Sequence, residues 1–206
     1  MKISTSILST NDRFKSITKL NNTSTDYIHI DNMDNKFVPN YQLPINEVNQ
    51  LGEYTNKPFD IHLMNIDPEP FINNLKVDNI ISITIHIEID KNIDKILSLI
   101  KEKGYQAGLA IKPNTDLNLI DKYLNKIDKV IMMSVEPGFG GQKFIENTVK
   151  KIKILREKSK DLIIEVDGGI NNETINYIKD YADIAVVGSY ITNKENYEEA
   201  INNLKK

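Results

Sequence analysis

The feature that most constrains the fold is a repeated alternation between short β-branched runs and segments of helical periodicity, which continues along the whole chain. The first repeat pairs a strand at residues 2–7 with a polar helix at 11–20. Further strands are predicted at 27–31, 59–63, 80–87, 106–111, 129–135, 162–167 and 184–187. Helices are predicted between and after them at 44–53, 68–75, 92–103, 117–125, 143–158, 173–181 and 196–205.

Eight strands that each precede a helix, with nearly continuous apolar strands such as residues 130–133, are typical of a closed parallel sheet covered by helices. We therefore predict an α/β fold of the (β/α)₈ or TIM-barrel type, with an open doubly wound sheet as the alternative. A chain of 206 residues is short for two domains, and no Pro/Gly/Ser-rich linker divides it. The prediction is a single barrel domain over residues 1–206.

Composition excludes several classes of function. The chain has no cysteine, so thiolate metal sites and a cysteine nucleophile are excluded. Its net charge is -3 and its lysines are interspersed with acids, which argues against a nucleic-acid surface. Residues 1–9 contain no long apolar run that would suggest a signal peptide or membrane span. We expect a cytoplasmic protein that binds neither nucleic acid nor membrane and forms a homo-oligomer.

Polar residues cluster where the predicted strands end, which is where barrel enzymes carry their chemistry. His29 and Asp31 close one strand, and the two-residue period of a strand places both on the same side. His62 lies near the end of the next strand, and Asp167 ends the strand at 162–167. Two imidazoles and two carboxylates would suit Zn²⁺ or Fe²⁺, with Mn²⁺ and Co²⁺ as further options. The alternative is that the histidines are hydrogen-bonded rim residues and the aspartates are turn or capping residues.

Three later junctions between strand and helix are rich in glycine. Glycine lets backbone N–H groups turn towards an anion, and the last loops of such barrels commonly bind phosphate. Each glycine alone is equally explained by a tight turn. Lys143 is the one nearby cation in the sequence, so a phosphate ester would be held largely by the backbone. The junction residues are Gly138, Phe139, Gly140, Gly141, Gly168, Gly169, Gly188 and Ser189.

Together these motifs resemble the ribulose-phosphate 3-epimerase family. The matching runs are 5–8, 29–34, 37–40, 60–64, 135–144 and 165–170. The resemblance implies a barrel of the ribulose-phosphate-binding type and an isomerase of the pentose phosphate pathway. Such an enzyme interconverts D-ribulose 5-phosphate and D-xylulose 5-phosphate, so its partner would be a small phosphorylated ketose.

The resemblance also implies a role for each matching residue. Asp31 and Asp167 would transfer protons, and one divalent metal ion per chain, zinc or iron, would be bound by His29, Asp31, His62 and Asp167. Substrate-binding residues would include the eight junction residues above and also Ser6, His62, Met33, Met64 and Met133. Ordinary core packing explains the methionines equally well.

The sequence departs from the family pattern at residue 35, at residues 41–44 and in the short connections after the first and fourth strands, and it leaves rival functions open. Asn35 replaces a familiar glycine but tolerates a left-handed backbone, and residues 41–44 lack another. A hexulose-6-phosphate 3-epimerase, a decarboxylase using Lys112 and a non-catalytic phosphate-binding barrel remain alternatives. We interpret His86 as a supporting or core residue, not as a metal ligand.

Overall fold

A computed structural model describes residues 1–206 and contains a closed parallel barrel. Eight parallel strands form a ring in which the first strand of the chain pairs with both the second and the last, so the sheet closes. The predicted TIM barrel is therefore confirmed, and the open sheet is excluded. The strands are β1 (Lys2–Ser6), β2 (Tyr27–Asp34), β3 (Tyr41–Gln42), β4 (Phe59–Met64), β5 (Ile80–His86), β6 (Gln106–Ile111), β7 (Lys129–Met133), β8 (Ile163–Asp167) and β9 (Ile184–Val187).

Helices connect the strands around the outside of the barrel. Three of them have a side-chain N-cap, formed by Asp12, Asn92 and Asn196. Each of these side chains accepts a hydrogen bond from the backbone N–H three residues later, which stabilises the helix by about 1 kcal/mol. The longest helix has 11 residues, and none combines the length and apolarity required to cross a bilayer. The helices are α1 (Arg13–Leu20), α2 (Ile45–Gly52), α3 (Glu69–Asn73), α4 (Ile93–Glu102), α5 (Thr148–Lys158), α6 (Ser189–Thr192) and α7 (Tyr197–Leu204).

Two of the predicted helices are shorter than expected and are not α-helices. The segments predicted at 117–125 and 173–181 form 3₁₀ helices at Leu117–Tyr123 and Thr174–Tyr177. A 3₁₀ helix rises about 2.0 Å per residue, compared with about 1.5 Å in an α-helix. These short connections therefore cover more of the height of the barrel with few residues.

Several element boundaries also differ around the mouth of the barrel. The helix predicted at 143–158 begins only at Thr148, because residues before it line the mouth cavity instead. β2 continues past its predicted end at residue 31 to Asp34, since Met33 and Asp34 pair antiparallel with the unpredicted strand β3. Asp31 consequently lies within β2, where it pairs in register with His62 of β4.

The alternation along each strand separates an apolar shell from a polar interior. On β2, Ile28 and Ile30 belong to the large apolar cluster between barrel and helices, and each is fully buried. Full burial of such a side chain stabilises the fold by roughly 1.5–3 kcal/mol. His29 and Asp31, on the opposite side of the strand, are also buried but face the barrel interior with other polar groups. The alternation along β2 therefore places His29 and Asp31 inside the barrel.

Two residues other than glycine adopt the left-handed backbone near the mouth. Asn35 has φ 57°, which confirms that asparagine keeps the turn expected there. Leu43 has φ 48° in the segment where the sequence lacks a family glycine. Its side chain is fully buried, so apolar packing holds this strained leucine in place.

Candidate active site

The C-terminal mouth of the barrel brings together the four residues predicted there. His29 and Asp31 lie on β2, and Asp31 is directly opposite His62 of β4 in the strand register. Asp167 ends β8, which is separated from β2 by β1 and β9. The two aspartates therefore reach the mouth from different sides.

Two carboxylate oxygens face two imidazole nitrogens across the mouth. Asp31 Oδ1 lies 3.3 Å from His29 Nε2 and 3.4 Å from His62 Nδ1. Asp167 Oδ2 lies 3.9 Å and 3.5 Å from the same nitrogens. Donor atoms around a tetrahedral ion with bonds of ~2.1 Å are spaced by ~3.4 Å. The four side chains thus have the spacing of a metal-binding cluster.

Both of these nitrogens lack a hydrogen-bond partner. His29 Nε2 and His62 Nδ1 are buried and unpartnered. Leaving a buried polar atom unpaired costs about 1–3 kcal/mol, and such atoms are rare. A divalent cation between the two carboxylates would satisfy both nitrogens at once. The residues therefore fit a metal ion, and a set of two nitrogen and two oxygen donors suits the zinc-like metals.

Hydrogen bonds behind His62 fix which of its nitrogens faces the mouth. His62 Nε2 lies 2.9 Å from His86 Nε2, and His86 Nδ1 lies 2.9 Å from Glu88 Oε2. Burial raises the pKa of Glu88, but hydrogen bonds from His86 and Thr115 outweigh it and lower that pKa to about 2. The ionised Glu88 accepts from His86 Nδ1, so His86 Nε2 accepts from His62 Nε2. His62 Nδ1 therefore keeps its lone pair for the mouth, and His86 supports it from behind.

A second set of charges, deeper in the barrel, supports His29. His29 Nδ1 lies 3.2 Å from Asp60 Oδ2 and 3.3 Å from Glu165 Oε1. Lys129 forms ion pairs with both carboxylates, at 2.6 Å to Glu165 Oε2 and in direct contact with Asp60 Oδ1. Because His29 Nδ1 donates towards these acceptors, His29 Nε2 is left with its lone pair facing Asp31.

Proximity shifts the pKa values of the cluster. Burial lowers the pKa of His29, but the charge of Asp31 and hydrogen bonds to the deeper carboxylates raise it well above its usual value. Burial also lowers the pKa of His62, but the nearby carboxylates of Asp167 and Asp31 outweigh burial and raise that pKa. Burial raises the pKa of Asp31, yet His29 and His62 hold it below its usual range. The carboxylates therefore stabilise positive charge at this cluster.

A cavity of about 700 Å³ opens over the cluster. Asp31 and Asp167 line it, whereas His62 lies fully buried behind them and does not. Lys143 lines the cavity as expected, but Lys194 is a second cation there that the sequence did not indicate. The other predicted binding residues that line the cavity are Ser6, Met33, Met64, Met133, Gly138, Phe139, Gly140, Gly141, Gly168, Gly169, Gly188 and Ser189.

Glycine is required where two loops of this cavity meet. Gly168 and Gly169 have φ values of 121° and 65°. A Cβ on Gly168 would lie 2.9 Å from the backbone nitrogen of Val135, and one on Gly169 would lie 2.5 Å from that of Phe144. The loop after β7 and the loop after β8 can therefore pack against each other only through glycine.

The ion network around Lys129 was missed by reasoning from the sequence. The sequence does indicate its two carboxylates, because Asp60 precedes His62 by two residues and Glu165 precedes Asp167 by two. The strand period places each pair on the same face of its strand, one level apart. Lys129 gives a weaker signal, as a single charge at the start of an apolar strand.

A closed parallel barrel with a carboxylate and imidazole cluster beside a glycine-lined cavity at the C-terminal ends of its strands has the organisation of TIM-barrel enzymes. The fold and the site place the protein in this class.

Comparisons with known proteins identify a family within the TIM-barrel enzymes. The sequence model of the ribulose-phosphate 3 epimerase family matches residues 2–192. The chain is 36% identical over 186 residues to ribulose-phosphate 3-epimerase of Bacillus subtilis, covering 87% of this chain and 86% of that protein. It is 35% identical over 195 residues to ribulose-phosphate 3-epimerase of Schizosaccharomyces pombe, covering 93% and 86%. The chain therefore belongs to the ribulose-phosphate 3-epimerase family and is an isomerase.

Solved structures support the fold alone. The 3-hexulose-6-phosphate synthase from Salmonella typhimurium superposes with a TM-score of 0.70 at 17% identity, covering 99% of this chain and 96% of that one. Tryptophan synthase from Mycobacterium tuberculosis gives a TM-score of 0.73 at 12% identity, with 98% and 90% coverage. At these identities the similarity shows a shared barrel.

Proposed function

We propose that the protein interconverts D-ribulose 5-phosphate and D-xylulose 5-phosphate at C3, with one divalent metal ion bound by His29, Asp31, His62 and Asp167. Two unpartnered imidazole nitrogens that meet two carboxylates beside the glycine-lined cavity are the observation that carries this proposal. The names of the relatives support the substrate. Zinc and iron are the preferred ions, and manganese and cobalt also suit the donor set.

Epimerisation at C3 removes a weakly acidic proton beside the C2 carbonyl and returns one to the opposite face. Negative charge develops on the enediolate between these steps. A bound divalent ion supplies electrostatic stabilisation of that charge, worth several kcal/mol. What remains for the side chains is to hold and move the two protons.

Each aspartate has one oxygen turned to the imidazoles and one turned away. Asp31 Oδ1 faces His29 and His62, while Asp31 Oδ2 accepts a hydrogen bond of 2.7 Å from Ser6 Oγ. Asp167 Oδ2 faces the same histidines, which leaves Asp167 Oδ1 for the cavity. We assign proton transfer to Asp31 Oδ2 and Asp167 Oδ1, which reach the substrate from opposite sides.

In the direction from ribulose to xylulose, Asp31 takes the proton and Asp167 returns one, and the roles reverse in the other direction. Met33, Met64 and Met133 are almost fully buried and form apolar walls that exclude water from the reacting carbon. The glycine-rich loops hold the phosphate through backbone N–H groups, with Lys143 and Lys194 as nearby charges.

The test follows solvent deuterium into each substrate with Asp31→Asn and Asp167→Asn. Asp31→Asn should lose exchange at C3 of ribulose 5-phosphate, whereas Asp167→Asn should exchange that position but form no xylulose 5-phosphate. Epimerisation should fall by about 10²–10⁴-fold in both. Glu136→Gln, which alters a cavity carboxylate outside the cluster, is the matched control. Metal content is measured in each variant, and near-normal turnover in either aspartate variant would refute the scheme.

Substrate class is tested separately by comparing turnover of the pentulose phosphate and a hexulose 6-phosphate. Preference for the hexulose would establish the rival epimerase. Decarboxylation is disfavoured because Lys112 stacks over the ring of Phe37, 4.2 Å from its centre, and does not line the cavity.

A further inference from the structure

We propose that Lys129 is a positioning residue for His29: its ammonium holds Asp60 and Glu165 against the imidazole and so aims His29 Nε2 at the metal ion. This inference rests on the proposed metal-dependent function. It assigns a role to a buried cation that neither touches substrate nor lines the mouth cavity.

The ammonium of Lys129 is fully enclosed and fully satisfied. Only 1% of the side chain is exposed. Its nitrogen donates to Glu165 Oε2 at 2.6 Å, to Ser82 Oγ at 3.0 Å and to Asp60 Oδ1. A lysine ammonium has three hydrogens, so these three acceptors use all of them. The ammonium group of Lys129 is therefore held in one position.

Asp60 is hydrogen-bonded to both Lys129 and His29, and Glu165 places a second carboxylate between them. Asp60 Oδ1 binds Lys129, while Asp60 Oδ2 lies 3.2 Å from His29 Nδ1. Glu165 Oε2 binds Lys129, while Glu165 Oε1 lies 3.3 Å from the same nitrogen. One cation thus orients two acceptors onto one edge of the imidazole. The opposite edge of the ring carries Nε2, which faces Asp31.

The close approach of His29, Asp60 and Glu165 explains why a cation is needed at this depth in the barrel. His29, Asp60 and Glu165 each offer an atom within 4.8 Å of the others, which is the spacing of a second metal site. Two carboxylates buried side by side without a cation would each carry a large desolvation penalty. Lys129 supplies that cation from the chain itself, so the deeper carboxylates remain committed to His29.

A purely electrostatic role makes the opposite prediction. Lys129 repels a divalent ion at the mouth, so its removal would strengthen metal binding if charge alone mattered. If Lys129 positions His29, removal should weaken binding, because changes to the groups that orient a metal-bound histidine typically cost about 10–100-fold in metal affinity. The sign of the change separates the two roles.

The experiment uses full-length, metal-free protein and Co²⁺ as the probe, with affinity measured by chelator competition and geometry by visible absorption. The variants are Lys129→Met and Lys129→Met/Glu165→Gln, which restores the net charge of the wild type. The control is Lys101→Met, since Lys101 pairs with Asp128 at 3.5 Å on the outside of the barrel. Steady-state kinetics at saturating Co²⁺ separate KM from kcat.

Both Lys129 variants should bind Co²⁺ about 10–100-fold more weakly with a changed absorption spectrum. KM for ribulose 5-phosphate should stay within about twofold, because the phosphate loops are untouched. Lys101→Met should match the wild type. If Lys129→Met fails to fold, the charge-balanced double variant decides by the same criteria. Unchanged or tighter binding with the wild-type spectrum would overturn the inference, whereas a wild type that binds no Co²⁺ would overturn the proposed function itself.

Discussion

Replacing Gly169 with alanine should damage phosphate binding and leave the metal cluster intact. Gly169 has φ 65°, and an added Cβ would lie 2.5 Å from the backbone nitrogen and 2.8 Å from the Cα of Phe144. Ordinary carbon contacts begin near ~3.5 Å, so one of the two loops must shift by about 1 Å. Because the obstacle is backbone on both sides, no side-chain rotation can relieve it.

The size of the effect follows from what the loops bind. A hydrogen bond from a backbone N–H to a charged phosphate contributes about 1.5–3 kcal/mol. Loss of one such bond corresponds to a rise in KM of roughly 10- to 150-fold, at about 1.4 kcal/mol per factor of ten. The left-handed alanine also costs about 1–2 kcal/mol in the free energy of unfolding.

Gly104→Ala isolates the backbone cost. Gly104 has φ 85° but no atom within 4 Å of an added Cβ, and it lies between α4 and β6 at the opposite end of the barrel. It should lose a similar amount of stability with KM unchanged. The assay couples conversion of D-ribulose 5-phosphate to a detectable product, with thermal melts of each variant. A KM for Gly169→Ala within twofold of the wild type, or an equal rise in Gly104→Ala, would refute the reasoning.

Three further predictions concern the metal ion, Glu88 and Asp34. Removal of metal with a chelator should abolish turnover, and Zn²⁺ or Fe²⁺ should restore it; full activity in protein shown to be metal-free would contradict metal dependence. Glu88→Gln removes the ionised acceptor behind His86, so metal affinity measured by chelator competition should fall about tenfold, and an unchanged affinity would exclude the relay to His62. Asp34 accepts hydrogen bonds from three backbone N–H groups, which outweigh the effect of burial and lower its pKa below the ordinary 3.8. Because the folded-state pKa is the lower one, its contribution to stability is present above pH 3.8 and is lost as pH falls through the folded value. In urea titrations, Asp34→Asn should therefore be less stable than the wild type at pH 7, and the difference should shrink below about pH 4; a difference independent of pH would show that the carboxylate charge is irrelevant.

The strand positions and the cluster of His29, Asp31, His62 and Asp167 were predictable, because both follow from the alternation of side chains between the two faces of a strand. The strands at Gln106–Ile111 and Ile184–Val187 match the prediction to the residue. The same period puts His29 and Asp31 on one face, and the barrel then brings His62 and Asp167 to them. Helical periodicity is less informative in short segments, because it does not distinguish three residues per turn from 3.6.

The complete ion network around Lys129 could not be predicted, for a different reason. Strand period shows which face a residue lies on, but depth inside a barrel depends on the register between neighbouring strands. Lys129 is level with Ile163 of β8, and Glu165 lies two residues further along. Only the long, flexible side chain of Lys129 lets its charge reach the level of Glu165 and Asp60.

The way the barrel closes has a consequence for biosynthesis. The site takes its first three members from β2 and β4 and its fourth from β8, while β1 at the start of the chain pairs with β9 near its end. A growing chain on the ribosome therefore carries three of the four cluster residues until β8 emerges, and the barrel closes only when β9 pairs with β1. In the proposed metal complex, the ion would connect β2 and β4, from the first third of the chain, with β8 near its end.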